Sequence, residues 1–294
     1  MGGSPTVRVG HWPSDTTWQD GAATLGENAD LEALDELFPR GGLWTRPQLK
    51  LAFHFYCQTP FGQFDSRNKK VQSLALLIGR TPSALAMKLC NFASLDPAMG
   101  GRGLDNASKL DREVWAEFHE DWDGLESECE RLKHALLAAH PSLPDPTPVA
   151  VDLLADFTGE TRHVLVAQRR RQAFFRRSVL SIYHARCCIS GLADERLLVA
   201  SHIVAWSEDK ANRLNPRNGL CLSALHDRAF DTHLLTVDAD RRVVVSQRLL
   251  QLDDPLAAAA FAQVHGKSLT LPERFHPDEA FLAHHRERFL QKAA

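Results

Sequence analysis

The sequence predicts an α+β protein in which a helical amino-terminal domain precedes a carboxy-terminal domain of mixed helices and strands. Apolar residues recur at helical spacing over residues 29–140, and a proline-rich linker over 141–150 interrupts the pattern. Short strand-like segments then alternate with helical ones over residues 151–294. Residues 1–28 show no sustained period and are expected to form a flexible tail.

Size and composition fit a protein with two hydrophobic cores. The chain has 294 residues, of which 44% are hydrophobic and 24% are charged, as in ordinary globular proteins. No segment has the length and hydropathy of a membrane span or of a secretory signal. The six cysteines form no CxxC pair, which argues against a disulfide framework and against a four-cysteine zinc site. We therefore expect a cytoplasmic protein with no membrane partner.

The amino-terminal domain is predicted to contain helices separated by glycine and proline breaks. The helical segments cover residues 30–38, 46–58, 69–79, 81–93 and 109–139. A tight turn at Gly79 joins the third segment to the fourth, and Thr81 followed by Pro82 is typical of a helix start. This pair of helices has the outline either of a helix-turn-helix, and thus of a DNA-recognition module, or of an ordinary helical hairpin. Residues that would then face a DNA groove are Arg80, Ser83, Lys88 and Asn91.

A basic segment opens the carboxy-terminal domain. Residues 161–190 contain no Asp or Glu, although the net charge of the chain is −3. Arginines in this segment are Arg162, Arg169, Arg170, Arg171, Arg176, Arg177 and Arg186. Such a stripe is typical of a surface that contacts nucleic-acid phosphates, and a solvated helix face gives the same pattern. The nucleic-acid-binding candidates are Arg170, Arg171, Arg176 and Arg177, whose phosphate contacts would position a duplex without reading its sequence.

Three polar residues follow one another on the strand, turn and helix predicted next. His202 lies in the strand-like "RLLVASHIVAW", Asn218 in the turn of "NPRNGLCLS", and His226 in the helical "ALHDRAFDTH". This order resembles the HNH endonuclease family, which is named for a His, an Asn and a His on a compact ββα-metal unit. A second segment, "PFGQFDSRNKKVQSLALLIGRTPSALAMKLCNFASLDP", is similar to one that accompanies this nuclease in bacterial restriction-like proteins, with less specific motifs.

The resemblance implies a carboxy-terminal ββα-metal (HNH) nuclease domain that cleaves DNA, with a function in restriction or phage defence. His202 would be the general base that takes a proton from water, since the ordinary pKa of an imidazole is about 6.5. Asn218 would tie down the connecting loop and orient the base, although Asn before Gly is also simple turn chemistry. His226 would bind a divalent cation, with Asp231 as a further ligand or an orienting partner. Mg²⁺ is the first candidate for this cation, and Mn²⁺, Ni²⁺ or Zn²⁺ also suit the residue types.

One residue departs from the family pattern. Many members place an Asp or a second His directly before the base histidine as a metal ligand, whereas this chain has Ser201. Two other hypotheses therefore stay open, which are a DNA-binding regulator with a degenerate nuclease motif and an RNA-directed nuclease toxin. A homodimer would be a simple way to cut both strands of a duplex with one site per chain.

Other histidines and cysteines are expected to have ordinary structural roles. His233 lies close enough along the sequence to be a weak candidate for contact with the metal, and His284 and His285 are expected at the surface. Three cysteines near the motif are expected to be buried thiols, and these are Cys187, Cys188 and Cys221.

Overall fold

The computed structural model describes residues 31–148 and 159–293. The predicted tail (1–28) and the last two residues of the predicted linker lie outside the described residues. Helices before the linker are α1 (Leu31–Leu37), α2 (Arg46–Cys57), α3 (Lys69–Leu77), α4 (Pro82–Ala93), α5 (Lys109–Glu120) and α6 (Trp122–Ala139). Helices after the linker are α7 (Gly159–Ile182), α8 (Ala224–Asp231), α9 (Gln247–Leu250), α10 (Pro255–Ala257) and α11 (Glu279–Ala293), with a π-helical turn at Ala258–Ala262. The strands are β1 (Leu198–His202), β2 (Gly219–Ser223), β3 (Leu235–Val237) and β4 (Val243–Val245).

These elements agree with the predicted α+β class. The described part of the chain before the linker is mostly helical, and the part after it combines helices with two small antiparallel sheets. The predicted hairpin around residues 238–240 is present as the pair of β3 and β4. No helix in the described ranges is long and apolar enough to cross a membrane.

Helix α4 starts where the sequence predicts. The hydroxyl of Thr81 accepts a hydrogen bond from the backbone N–H of Ala84 at 3.2 Å, and Pro82 occupies the first helical position. The predicted groove-facing side chains are wrong for two residues of this helix. Lys88 is buried in an ion pair with Asp111 at 2.8 Å, and Asn91 is buried beside it on the inner face of the helix. The packing of α4 against α5 therefore uses the side chains that the helix-turn-helix interpretation required outside.

The predicted helix over 109–139 is wrong, because the chain forms two helices, α5 and α6, that meet at Asp121. Asp121 leaves the helical region with φ −144° and ψ 81°, and its carboxylate accepts a hydrogen bond from the N–H of Gly124 at 2.8 Å. Asp is a strong N-cap residue, so it competes with continuation of the helix. The break allows Trp122, which is 1% exposed, to turn into the aromatic core beside Phe118.

The two halves of the described chain share one hydrophobic cluster. Arg274, which is fully buried near the end of the chain, donates hydrogen bonds to the carbonyls of Tyr56 at 2.8 Å and Thr59 at 2.7 Å at the end of α2. Its guanidinium also stacks over the Tyr56 ring at 4.3 Å. The two terminal nitrogens of this buried charge are hydrogen-bonded, which offsets part of the cost of burying it. The helical part and the mixed part are therefore held together by specific polar contacts as well as by apolar packing.

A sheet and two helices position the polar residues of the motif. Strands β1 and β2 pair antiparallel, with His202 opposite Gly219, and α8 begins directly after β2. Helix α7 crosses the strands so closely that a Cβ on Gly219 would lie 2.5 Å from the Val179 side chain. Only glycine fits at such an approach, and this explains why the Asn-Gly pair of the sequence stands at the start of β2.

Candidate functional site

His202 ends strand β1 and lies between two cavities. Its ring stacks on Phe175 of α7 with centroids 3.8 Å apart and planes 9° apart. Nε2 lies 2.9 Å from the carbonyl oxygen of Arg213. A carbonyl only accepts, so Nε2 carries the proton in this hydrogen bond and Nδ1 keeps the lone pair. Burial lowers the pKa of His202, and the Arg213 carbonyl opposes that effect, so the ring is neutral at neutral pH.

The first cavity at His202 is small and lined by titratable side chains. It encloses about 60 Å³, and its lining consists of His202, Ile203, Ala205, Glu208, Asp231, His233, His284, His285 and Arg288. The second cavity encloses about 310 Å³ on the side of α7, and its lining consists of Gln172, Phe175, Arg176, Val199, Ala200, His202 and Trp206. Of all these residues, His202 alone lines both. The structure therefore brings two predicted site residues, His202 and Asp231, to the same cavity.

Asn218 holds the loop that returns from β1 to β2. Its amide oxygen accepts a hydrogen bond from the N–H of Val204 at 2.8 Å, and its amide nitrogen donates to the carbonyls of Val204 at 3.1 Å and Asn212 at 3.2 Å. The side chain is fully buried. All three of these groups lie within the segment that begins next to His202, so Asn218 fixes the strand end that carries His202. Its assigned role in orienting the base stays a prediction.

His226 lies away from both cavities, in the first turn of α8. The ring is 3% exposed, and its Nε2 lies 2.9 Å from the carbonyl oxygen of Ala260. Its Nδ1 lies 2.9 Å from the hydroxyl of Ser223 and 3.6 Å from the thiol of Cys187. The structure therefore does not place His202 and His226 in one cavity. Both nitrogens of His226 are already hydrogen-bonded, so binding a metal would require at least one of these bonds to break.

The thiol of Cys187 and the ring of His226 influence each other's pKa. Burial alone raises the pKa of Cys187, but hydrogen bonds from His226 and Ser190 outweigh it and lower the pKa to about 6. Burial lowers the pKa of His226, but the contacts with Cys187 and with the Ala260 carbonyl outweigh it and raise the pKa. As predicted, Cys187, Cys188 and Cys221 are buried thiols.

Two carboxylates stand one turn apart on α8, and only one of them was predicted from the sequence. Burial and the charge of Asp227 raise the pKa of Asp231. Burial also raises the pKa of Asp227, while the hydroxyl of Ser201 and the charge of Arg228 lower it. Ser201, the residue that departs from the family pattern, is buried and has no hydrogen bond of normal geometry. The spacing of Asp227 and Asp231 by four residues was the signal in the sequence that indicated a shared helix face.

These groups fit a divalent cation. Two neighbouring carboxylates with raised pKa values stand one turn apart on α8, and oxygen donors of this kind suit Mg²⁺ and Mn²⁺. The unpartnered hydroxyl of Ser201 beside Asp227 offers a further oxygen to a hydrated ion. Asp227, Asp231 and Ser201 are therefore the residues that would hold the metal in the arrangement seen here.

The remaining histidines of the first cavity differ in their burial and in their hydrogen bonds. His233 has a left-handed backbone with φ 59°, and burial lowers its pKa. His284 lies 3.2 Å from the carboxylate of Glu208. His285 was expected at the surface, and this expectation is wrong. It is 3% exposed because its ring stacks on Phe230 with centroids 3.6 Å apart, and both ring nitrogens are hydrogen-bonded.

The four predicted nucleic-acid-binding arginines of α7 have different surroundings. Arg171 lies 3.2 Å from the carboxylate of Asp123, and Arg177 donates to the amide oxygen of Gln58 at 2.6 Å, so both contact the amino-terminal helices. Burial lowers the pKa of Arg177. Arg176 donates to the backbone carbonyls of Leu198 at 2.8 Å and Glu195 at 2.9 Å beside the second cavity. Arg170 makes no hydrogen bond or ion pair with any residue in the described ranges.

Together, the elements define an α+β protein with an imidazole–carboxylate site on a strand–strand–helix unit, which is a donor set suited to metal-assisted hydrolysis. Residues 187–238, which include β1, β2, α8 and β3, match the family model described as HNH endonuclease, so the chain carries an HNH endonuclease domain. The predicted resemblance is thereby confirmed. A search of curated proteins gave no match. The domain supports nuclease activity on a nucleic acid, and HNH nucleases generally use a divalent metal ion.

Proposed function

We propose that the protein is a metal-dependent endonuclease that hydrolyses phosphodiester bonds in DNA, with the carboxy-terminal part as the ββα-metal nuclease domain. The observation that carries this proposal is the position of His202. It is a neutral imidazole with a free Nδ1 lone pair, on a cavity that it shares with Asp231, inside the segment that matches the HNH family. A base needs that protonation state to take a proton from water at neutral pH.

His202 would act as the base and Asn218 as the residue that fixes its position. The stack on Phe175 and the hydrogen bond to the Arg213 carbonyl hold the imidazole in one orientation and one tautomer. Asn218 ties the backbone on both sides of the returning loop, which limits movement of the strand end that carries the base. A positioned base contributes more to the rate than a mobile one, because the proton acceptor is already in place when water attacks.

Asp231 and Asp227, with the hydroxyl of Ser201, would hold the divalent cation. When bound, the cation supplies positive charge to the phosphate and to the leaving oxygen. His226 was assigned to the metal from the family pattern, and it would serve in that way only after the hydrogen bonds on one of its nitrogens break, either at Nε2 to Ala260 or at Nδ1 to Ser223. We assign Mg²⁺ first, since carboxylate and hydroxyl oxygens are its preferred ligands, while Mn²⁺, Ni²⁺ and Zn²⁺ stay possible alternatives.

DNA would lie along the side of the domain where the second cavity opens. Arg176 and Trp206 border that cavity next to His202, and they would offer a cation and an aromatic side chain to a nucleotide. Arg170, without a partner among the described residues, would add a phosphate contact on the same helix. The amino-terminal helical domain over 29–140 would contribute recognition, and a homodimer would supply the second site for a double-strand cut. Restriction or phage defence is the role that we assign to such an enzyme.

A cleavage panel on plasmid DNA tests the proposal. Supercoiled plasmid is incubated with the full chain and Mg²⁺, Mn²⁺, Ni²⁺ or Zn²⁺, and with EDTA in parallel, and nicked and linear products are separated on a gel. The expected result is cleavage with at least one metal, no cleavage with EDTA, and loss of cleavage in His202→Ala. His134→Ala, which changes an exposed histidine on α6, is the matched control and should cut normally.

The same panel separates the competing hypotheses. A DNA-binding regulator with a degenerate motif would shift the plasmid in a gel without cutting it under any metal. An RNA-directed nuclease would leave the plasmid intact and degrade a structured RNA supplied at the same concentration. Either outcome would contradict the proposed DNA endonuclease.

A further inference from the structure

A second group of possible metal ligands lies in the helical part of the chain, outside the nuclease site. One ligand atom each from His54 on α2 and from Glu126 and Glu130 on α6 lie within 4.8 Å of one another. All three side chains are buried, with exposed fractions of 3%, 2% and 8%. The His54 ring stacks on Phe174 of α7, with centroids 4.7 Å apart and planes 13° apart. The group therefore lies where α2, α6 and α7 meet.

The two glutamates pose an electrostatic problem. They stand four residues apart on α6, so their carboxylates share one helix face, and like charges at this spacing destabilise a helix. Burial makes the repulsion stronger, since water no longer screens it. Lys133 balances the charge of one of the two glutamates, because its ammonium lies 2.7 Å from Oε1 of Glu130. Oε1 of Glu126 has no hydrogen-bond partner.

Other charged groups around the cluster have partners of their own. Arg171 pairs with Asp123 at 3.2 Å, and Lys133 lies 3.7 Å from Asp145 as well as close to Glu130. Arg177, whose charge also reaches the cluster, donates to Gln58 and to the carbonyl of Pro148. These cations act on Glu126 from the edge of the cluster and do not contact its free oxygen. The negative charge at Glu126 therefore lacks a direct counter-charge.

The protonation of the cluster leaves it ready for a cation. Burial, and then the charge of Glu130, raise the pKa of Glu126 to about 7. Burial, followed by the charges of Lys133 and Arg177, lowers the pKa of His54 well below its ordinary value. His54 is therefore a neutral imidazole with a lone pair to donate. Its nearest polar neighbour is the amide nitrogen of Gln58, 3.2 Å from Nδ1, and a metal would replace that weak contact.

We propose that His54, Glu126 and Glu130 form a binding site for a divalent transition-metal cation of the Zn²⁺ class, separate from the nuclease cavity. One imidazole and two carboxylates are a donor set that zinc accepts, with water as the fourth ligand. Zinc–ligand distances of about 2.1 Å place tetrahedral ligands about 3.4 Å apart. The ligand atoms of the three side chains now lie within 4.8 Å of one another, so side-chain rotations that move each atom by about 1 Å would bring them into that geometry. The bound ion would stabilise the junction of α2, α6 and α7.

Zinc content and thermal stability test this site in the full chain. The background variant is Asp231→Asn, which weakens the nuclease metal site, so that zinc at the second site is counted alone. Protein stripped with EDTA is loaded with Zn²⁺, dialysed, and measured by atomic emission, and its Tm is recorded with and without the ion. We expect one equivalent of zinc in the background variant, and a higher Tm when zinc is present.

A second substitution locates the ion. Glu126→Gln in the same background should lose that equivalent and the rise in Tm, whereas Glu120→Gln, an exposed glutamate on the neighbouring helix α5, should keep both. Equal zinc content with and without Glu126→Gln would overturn the proposal. Absence of zinc from the background variant would also overturn it. In that case Glu126 would be neutralised by a proton and not by a metal ion. Neither outcome bears on DNA cleavage, which the wild-type plasmid panel tests by itself.

Spectroscopy keeps the test informative if Glu126→Gln fails to fold. Co²⁺ replaces Zn²⁺ in the background variant, and its visible absorption is recorded. A four-coordinate site with an imidazole and carboxylates gives strong visible bands that zinc removes by competition. The weak spectrum of a hydrated octahedral ion would overturn the proposed site.

Discussion

The region around His202 and the region around His226 give the same side chain opposite environments, although both histidines belong to one strand–strand–helix unit. His202 borders two cavities, and only one of its nitrogens is bonded to a described residue. His226 is closed in by Ser223, Cys187 and the Ala260 carbonyl, with both nitrogens bonded. The difference teaches that the order of residues in a motif does not by itself assign their roles. Whether a ring nitrogen is free to bind a proton or a metal depends on what packs against that ring.

The comparison supports the proposal that the first region is reactive and that the second has a structural role. A base or ligand must expose a lone pair to water or metal, and His202 does so at neutral pH. His226 links α8 to the π-helical turn at Ala258–Ala262 through its Nε2. The carboxylates of Asp227 and Asp231, rather than the His226 ring, then remain as the donors for the metal.

The largest expected effect comes from His202→Ala. Removal of a positioned base should lower the single-turnover rate of DNA cleavage by about 10²- to 10⁴-fold. The fold and the affinity for DNA should change little, since the ring contributes one hydrogen bond and one stacking contact, with Phe175, at the edge of a cavity. Rates are measured with saturating enzyme, and DNA affinity is measured in the presence of EDTA. A rate within threefold of that of wild type would show that His202 is not the base.

Asp231→Asn should have the next largest effect, because it removes charge from the metal site while keeping the shape of the side chain. We expect the apparent affinity for Mg²⁺ to fall by about 10- to 100-fold, the range seen when groups that support a metal site are changed. The measurement is a metal titration of the cleavage rate. Asp240→Asn, an exposed aspartate in the β3–β4 turn, serves as the control and should leave the titration unchanged.

His226→Gln distinguishes a structural role from a metal-binding role. Loss of the bonds to Ser223 and Ala260 should lower the free energy of unfolding by about 1–3 kcal/mol. The Mg²⁺ titration of the folded variant should shift far less than that of Asp231→Asn. Urea denaturation and the cleavage titration are run on the same preparation. A shift in Mg²⁺ affinity as large as that of Asp231→Asn would return His226 to the metal, as the family pattern implies.

The smallest expected effect is on the pH dependence of the rate. A base works in its neutral form, so the rate falls as the pH falls through its pKa. Because burial lowers the pKa of His202, more than half of the rings are neutral at pH 6.5, where an ordinary histidine would be half protonated. The rate at pH 6.5 should therefore exceed half of its plateau value. The rate is measured with saturating metal and DNA. If it reaches half of its plateau only above pH 6.5, the predicted lowering of the pKa of His202 is contradicted.

Local features of the fold could be predicted from the sequence. The start of α4 at Thr81 and Pro82 and the hairpin of β3 and β4 depend on neighbouring residues only, and both are present. The order of His202, Asn218 and His226 on strand, turn and helix likewise follows from short-range patterns. In each case the interactions that decide the structure lie within a few residues of each other.

Features that depend on distant contacts could not be predicted in the same way. The carbonyl that occupies His226 belongs to Ala260, 34 residues further along the chain. His285 is buried by Phe230, and Lys88 is drawn inward by Asp111, so neither position shows its burial in its own segment. The break between α5 and α6 could have been predicted from the sequence, because Asp121 is a residue type that caps the start of a helix.

The location of the catalytic metal tests the account most directly. Crystals of the full chain are soaked with Mn²⁺, and anomalous difference density is calculated near its absorption edge. The account predicts a peak bonded to the carboxylate of Asp231, which lines the His202 cavity, or to that of Asp227 one turn earlier on α8, with the His226–Ala260 bond intact. A peak bonded to the ring of His226, with that bond broken, would contradict it.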